Sequence, residues 1–331
     1  MTRLATNHDS PDCPNPFTSK LKNIKLGNLL AYAVLILLSF PFLYPLLRMV
    51  TISIMSIDDV MDQSINLIPR SLSFGNLEIA WRIMDPMRTI FNSIWFSGLL
   101  AIGTTLIATT TGYAFARFSF PFRKIWFGLA VIALILPTPV VLIPRLMMAM
   151  DITLSTGIRL IGTPWPQTIA AFLGQGLFST AFILVFYNFV KMIPASIEEA
   201  AAIDGASPLQ IFYHIALKLS VTTIWGMFLF SFILNWNETY ATNIFLRGNL
   251  SLMTERLWWL GWSSWDCLCN FPDMVFGLEE YVLDEPCVRC IMDNAFRLSG
   301  IFVSLLPLFI LYACVHKHLI RLIEDINLTE M

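Results

Sequence analysis

Residues 193–220 read IPASIEEAAAIDGASPLQIFYHIALKLS and lie between two long apolar runs. Two short helices are legible in them. Ser196, followed three residues on by Glu199, has the form of a capping box, in which each side chain satisfies a backbone N–H near the helix start. The helix then runs over small, good helix formers and meets Gly205, a natural left-handed stop. Ser207 caps a second helix, with Pro208 at its first position and Gln210 closing another capping box. The first helix is about two turns, roughly 10 Å long. A helix that short is unstable alone in water and has to pack on something. Ala200 and Ala201 expose little side chain, so another surface can come close to the backbone. Leu209, Phe212, Tyr213 and Ala216 share one face of the second helix at helical spacing. Two readings stay open here: a hairpin folding back on its own bundle, or a seat for another chain.

The flanking runs decide the class. Hydrophobic residues make up 56% of the 331 and charged residues only 13%, with a mean hydropathy of +0.67. A soluble domain carries about 25% charge. The sequence therefore predicts an all-α polytopic membrane protein. Its formal net charge of −2 argues against nucleic acid as a partner. Residues 1–28 are polar, carry Pro11, Pro14 and Pro16, and read as a disordered cytoplasmic tail. A signal peptide does not fit, because the leader is long and no small-residue cleavage site follows. Six spans are expected, near 29–50, 90–116, 125–143, 168–190, 221–241 and 298–316, each sized for a bilayer core of about 20 residues. Together they form a six-helix transmembrane domain over 29–321, with a short cytoplasmic tail over 322–331. Pro41 and Pro45 bend the first span, and Pro137 and Pro139 break the third.

Lysine sets the orientation. With six spans, Lys20, Lys22, Lys25, Lys124, Lys191, Lys218 and Lys317 all fall on one side, expected to be the cytoplasm. Arginine is spread over both sides. This places the N-terminus and the 193–220 loop inside. The first outer segment, 51–89, carries Asp58, Asp59 and Asp62, and either touches a partner or caps the bundle. The last outer segment, 242–297, is longer than an ordinary connection. Trp258, Trp262 and Trp265 fall on one face of an expected helix there, at the membrane boundary or at a docking surface. Cys267, Cys269, Cys287 and Cys290 have spacings that resemble a metal site, but outside the cytoplasm disulfides or free thiols are the expectation.

The 193–220 stretch also carries a resemblance. Glu199-Ala200-Ala201, three residues, Gly205, nine residues, Ile215, one residue and Leu217 resemble the EAA loop of ABC-importer permease subunits, with Asp204 before the glycine. Lys218 stands where that family usually has proline. Tyr113-Ala114-Phe115-Ala116-Arg117-Phe118 with Phe120-Pro121 resembles the second-helix end of maltose-type sugar permeases. Trp236-Asn237-Glu238 after Phe230-Ser231-Phe232 resembles their fifth helix. The likeness covers about Asn92 to Leu246, with Ser299 to Arg321 as the last helix. It implies a translocation subunit of an ATP-driven importer in the plasma membrane of a bacterium or archaeon, moving a sugar or oligosaccharide. It implies partners: a second homologous permease, two ATPase subunits, an extracytoplasmic solute-binding protein and membrane lipid. ATP and magnesium are then expected on the ATPase, with no cofactor on this chain. Glu198 and Glu199 would supply charge and capping at the ATPase groove, Ala200 and Ala201 close approach, and Gly205 the turn.

Candidates for the solute path are Asn235, Trp236, Asn237 and Glu238, since polar groups at membrane depth tend to face a cavity or the bundle interior. Trp236 either stacks on a sugar ring or anchors the outer end of its helix. Thr104, Thr105, Thr109, Thr110 and Thr111 are expected to bond their own backbone or to join helices. Gln175 is a further polar candidate. There is no Gly-x4-Gly-Lys-Ser/Thr phosphate loop, so hydrolysis of ATP is expected elsewhere. No His-Glu-x-x-His occurs, and His8, His214, His316 and His318 form no catalytic set. The alternatives are an ion-coupled secondary transporter or channel without an ATPase, and an importer of the same kind for a non-sugar solute. The near-absence of ionisable residues inside the expected spans counts against the gradient-driven class.

Overall fold

A computed structural model describes residues 26–62, 64–262 and 294–314. The regular structure of the described residues is helical apart from one isolated antiparallel bridge, Met55 with Leu72. In chain order the helices are α1 Leu26–Ser53, α2 Ile57–Met61, α3 Gly75–Met84, α4 Pro86–Arg117, α5 Arg123–Ile135, α6 Thr138–Thr156, α7 Trp165–Phe172, α8 Ser179–Met192 and α9 Ala195–Ile203. They continue with α10 Pro208–Leu219, α11 Val221–Trp236, α12 Tyr240–Leu246, α13 Met253–Trp262 and α14 Asn294–Cys314. Four helices are long and apolar enough to cross a membrane, or up to six if the bent pairs α8–α9 and α10–α11 each count as one span.

The 32-residue α4 is the centre of the bundle, packing most extensively on α8 and α11. Its glycines allow this. A Cβ on Gly112 would stand 2.9 Å from the Ile183 carbonyl oxygen and 3.1 Å from the Phe186 Cβ. A Cβ on Gly103 would enter the Phe172 ring. With no hydrophobic driving force between helices in lipid, such close approach is what holds spans together. One apolar cluster, built on Tyr113, Phe186, Val190, Phe212 and Ala216, fills the end of the bundle that carries the 193–220 loop. Another joins Met84, Ala101, Phe232, Trp236, Met253 and Val303. By contrast, α1 is exposed along most of its length and α5 buries no residue. Helices that are apolar and unburied have found their solvent in hydrocarbon.

Several expected boundaries move. The third span breaks at Pro137 as expected, but α6 runs on to Thr156 and stops only at Gly157, which is left-handed. The region therefore holds Arg145 and Asp151 within a helix, and the spans are less free of ionisable residues than expected. The fourth span is not continuous over 168–190. It breaks over 173–178, where Gly174 and Phe178 both take positive φ and Gly174-Gln175-Gly176 has poor helix propensity. The fifth helix ends at Trp236, short of 241. The outer segment 242–297 holds the end of α12 and all of α13. Cys267, Cys269, Cys287, Cys290 and Trp265 lie outside the described residues, as do 1–25 and 315–331.

The first outer segment is tied down from within. Buried Asp59 accepts hydrogen bonds from the Arg70 and Ser71 backbone N–H groups at 2.8 and 2.9 Å. The Asn76 amide donates to the Ile52 and Met55 carbonyls, both at 3.0 Å. Asp59 therefore holds the segment's own loop closed and is not offered to a partner.

Candidate functional site

The 193–220 stretch is built from the bundle outward. The helix α8 ends at Met192, and Pro194, with φ preset at −58°, becomes the N-cap of α9. The expected Ser196–Glu199 capping box does not form. Proline starts the helix two residues earlier, so Ser196 already lies inside the first turn and no side chain caps it. A contact far away in sequence takes over. The Arg117 Nε, at the end of α4, donates to Glu198 Oε1 at 2.9 Å, and its Nη2 donates to the Val190 and Ile193 carbonyls at 3.0 and 2.7 Å. The Tyr113 hydroxyl donates to Glu198 Oε2 at 3.1 Å. The two charged side chains are only 16% and 12% exposed. One guanidinium thus clamps the end of α8, the 72° bend and the first turn of α9 to α4. Glu198 turns inward as a tether and does not face a partner's groove. Its neighbour Glu199 is exposed, as are Ala200 and Asp204, and Ala201 is half-buried.

Gly205 has φ +87°. The Ala206 N–H donates to the Ala201 carbonyl and the Gly205 N–H to the Ala202 carbonyl, the paired bonds of a Schellman motif. Ser207 and Gln210 then form both bonds of the second capping box, at 2.8 and 3.4 Å. The helix α10 does not present the expected face. Its middle, Phe212–Ala216, is a π-helical turn, and the wider turn changes the register. Phe212 and Ala216 are buried in the main cluster, whereas Leu209 and Tyr213 are exposed. Ile215 and Leu217 are half-buried. At Lys218 the helix continues without a break, and the 75° bend falls at Ser220, so a proline at 218 is not needed for it.

Ile197, Ile203, Leu209 and Tyr213 are left exposed beside Glu199 and Asp204. Ile203 is 86% exposed. An apolar patch of this kind with acidic edges is the form of an interaction surface.

The family described as the binding-protein-dependent transport system inner membrane component matches residues 108–323, more than half of the chain. The chain belongs to this family. The permease is 27% identical over 72% of its length to a probable ABC transporter permease protein of Pyrococcus horikoshii, covering 83% of that protein. It is 25% identical over 66% of its length to the sn-glycerol-3-phosphate transport system permease protein UgpE of Pectobacterium atrosepticum, covering 76% of it. It is 35% identical over 53% of its length to the osmoprotective compounds uptake permease protein GgtD of Synechocystis, covering 55% of that protein. In fold it is similar to a chain of a bacterial ABC transporter involved in import of the acidic polysaccharide alginate. That likeness has a TM-score of 0.65 at 17% identity, over 93% of this chain and 99% of that one. The permease is accordingly an inner-membrane subunit of a binding-protein-dependent ABC importer, a translocation component and not an enzyme.

A cavity of about 240 Å³ opens among α6, α7, the 173–178 turn and the end of α11. Of the four expected path residues, Asn235 and Glu238 line it. The Asn235 amide donates to the Ser231 carbonyl at 2.8 Å. Both Glu238 oxygens are engaged by α12, accepting from the Ala241 and Thr242 backbone N–H groups and the Thr242 hydroxyl, each at 3.0 Å. The other two residues lie elsewhere. Trp236 is 3% exposed inside the apolar core, so it neither offers a ring to a solute nor anchors an outer rim. Asn237 is exposed and donates to the Ile233 carbonyl one turn back. Thr109 and Thr110 bond their own helix as expected. Thr104 and Thr105 are buried with hydroxyls that have no partner.

Sequence reasoning missed Arg145, Gln167 and Ser179, which also line the cavity. Arg145 looked like an outer-loop residue because the third span was ended at 143. The apolar run that continues on both sides of Arg145 was the available signal.

Proposed function

We propose that the permease couples to a separate ATPase chain, which carries ATP and magnesium, by seating α9 and the start of α10 in that chain's groove. The observation that carries this reading is an exposed apolar face on two short helices clamped to the central span through Arg117. A rigid tether and an unfilled apolar face are what a mechanical coupling element needs. In the full assembly, this subunit pairs with a second similar permease, two ATPases lie on the side of the 193–220 loop with the N-terminus, and a solute-binding protein delivers from the other side. Glu199, Ala200, Ala201, Asp204 and Gly205 form the docking surface and its turn, with Ile215 and Leu217 anchoring the return to the bundle. The solute is a sugar or polyol. Support comes from the solutes in the names of similar proteins, sn-glycerol 3-phosphate and alginate, and from Asn235 at the cavity.

The test is copurification together with solute-stimulated ATPase activity in lipid nanodiscs. Ile203→Asp and Leu209→Asp change only exposed side chains, so the permease should melt as wild type does while losing the ATPase chain. Hot spots of this kind carry about 2 kcal/mol or more of binding each. Retention of the ATPase by both variants refutes the docking face. A wild-type chain that binds no ATPase in gentle detergent refutes coupling through this face.

A further inference from the structure

We propose that the cavity beside Asn235 holds the acidic group of the solute, a carboxylate or a phosphate monoester, with Arg145 as its counter-ion. The proposal rests on the reading of this cavity as part of the solute path, and it specifies the solute class that path accepts.

Arg145 projects from α6 into the cavity wall. Its Nη2 donates to the Gln175 carbonyl at 3.0 Å and lies 3.4 Å from the Gln175 Oε1, but its Nε is buried and has no partner. Among the described residues it forms no ion pair. A guanidinium has five donors in a planar fork that fits the paired oxygens of a carboxylate or phosphate. At membrane depth an unpaired cation is costly and marks a functional position.

The turn that receives Arg145 at Gln175 leads into the next contributor to this site. The N-terminus of α8, a 14-residue helix, opens on the cavity through Gly176, Phe178, Ser179 and Thr180. The first N–H groups of a helix and its dipole favour an anion there. Ser179, 2% exposed, belongs to the cavity wall, and its buried hydroxyl has no hydrogen-bond partner. Gly176 lets the chain pass close to it, since a Cβ there would stand 3.0 Å from the Ser179 Oγ and 2.9 Å from the Thr104 Oγ1. Gln167, also in the wall, has a buried Oε1 without a partner, an acceptor one side-chain rotation from the cavity. The one carboxylate in the wall, Glu238, is held by three hydrogen bonds from α12 and forms no ion pair with Arg145. The free groups therefore sort into an anion site between Arg145 and α8 and an acceptor at Gln167. A hydroxylated solute bearing one acidic group satisfies both.

The experiment is calorimetric titration of the intact importer complex in nanodiscs, without the binding protein, using glycerol 3-phosphate, glucuronate, glucose and inorganic phosphate. Binding of glycerol 3-phosphate or of glucuronate, with glucose inert, supports the site and tells phosphate from carboxylate. Arg145→Gln should weaken that binding by about tenfold or more, the worth of a charged hydrogen bond. Arg145→Lys should recover part of the loss, because charge remains while the planar fork is gone. Ser179→Ala is a second variant if Arg145→Gln fails to assemble, and it should weaken the same solute several-fold. Unchanged affinity in Arg145→Gln and Ser179→Ala, or binding of glucose alone, overturns the proposal. Glucose-stimulated ATPase activity that survives Arg145→Gln overturns the acidic-solute assignment while leaving the importer reading intact. An ATPase that stays bound while none of these solutes binds or stimulates it overturns the reading of this cavity as the solute path.

Discussion

Replacing Glu198 by Ala tests whether the tether transmits force or only shapes the loop. The substitution removes two hydrogen bonds, one from Arg117 Nε and one from the Tyr113 hydroxyl. Arg117 keeps its bonds to the Val190 and Ile193 carbonyls, so its charge is not stranded completely. Bonds to charged groups are worth about 1.5–3 kcal/mol each, and breaking a fully buried pair costs about 3–5 kcal/mol. With side chains 12–16% exposed, some screening remains, and a cost of about 3 kcal/mol follows. At the entropy of unfolding of a 331-residue chain, the melting temperature in nanodiscs should drop by about 4 °C. Because Ile203 and Leu209 are untouched, the ATPase should stay bound and its basal rate should persist, while stimulation by solute falls. A cycle of Glu198→Ala, Arg117→Met and the double variant should return a coupling of about 2 kcal/mol, since the two residues touch. Tyr113→Phe should cost about 1 kcal/mol. A melting temperature within about 1 °C of wild type, with full solute stimulation, refutes the reasoning, because the lost bonds would then carry neither stability nor force.

Three further outcomes follow from single positions. Gly112→Val drives side-chain atoms against the Ile183 carbonyl and the Tyr187 backbone nitrogen, and should destabilise the bundle by about 1–3 kcal/mol, read as a lower melting temperature. Gly205→Ala meets no neighbour but must hold φ +87°, so a cost of about 1–2 kcal/mol should appear as weaker ATPase retention with the bundle's melting unchanged. Burial at the start of α13 raises the Glu255 carboxyl above its ordinary value of 4.5, an effect only partly offset by the Leu252 N–H and by Arg256. A raised carboxyl favours the folded state while protonated, so its contribution is full below pH 4.5 and is lost as pH rises through the folded value. Glu255→Gln should therefore raise the melting temperature at neutral pH and flatten that part of the pH profile. A wild-type profile unchanged by the substitution contradicts this.

The sequence alone determined what depends on neighbours in the chain. Composition and run length sufficed for an all-α membrane protein, because burying unpaired backbone in hydrocarbon leaves helices as the solution for apolar runs. Gly205 and the Ser207–Gln210 box were legible because both are closed by atoms within five residues. The spacing from Glu199 to Leu217 carried the resemblance to importer permeases, and the family match spans that stretch. What sequence could not decide was set by partners far along the chain. Ser196 and Glu199 had the right letters for a cap, yet Pro194 started the helix and Arg117, 81 residues before Glu198, turned that residue inward. The π-helical turn at Phe212–Ala216 split a face that regular spacing had joined. Trp236 went into the core because Met84, Met253 and Val303 arrived there from other elements. Arg145, Gln167 and Ser179 come from three helices and share one cavity only because α6 outruns its prolines and the fourth span breaks at Gly174. Local hydrogen bonds write helix ends into sequence, but where side chains meet is a property of the packed bundle, and the tertiary structure decides it.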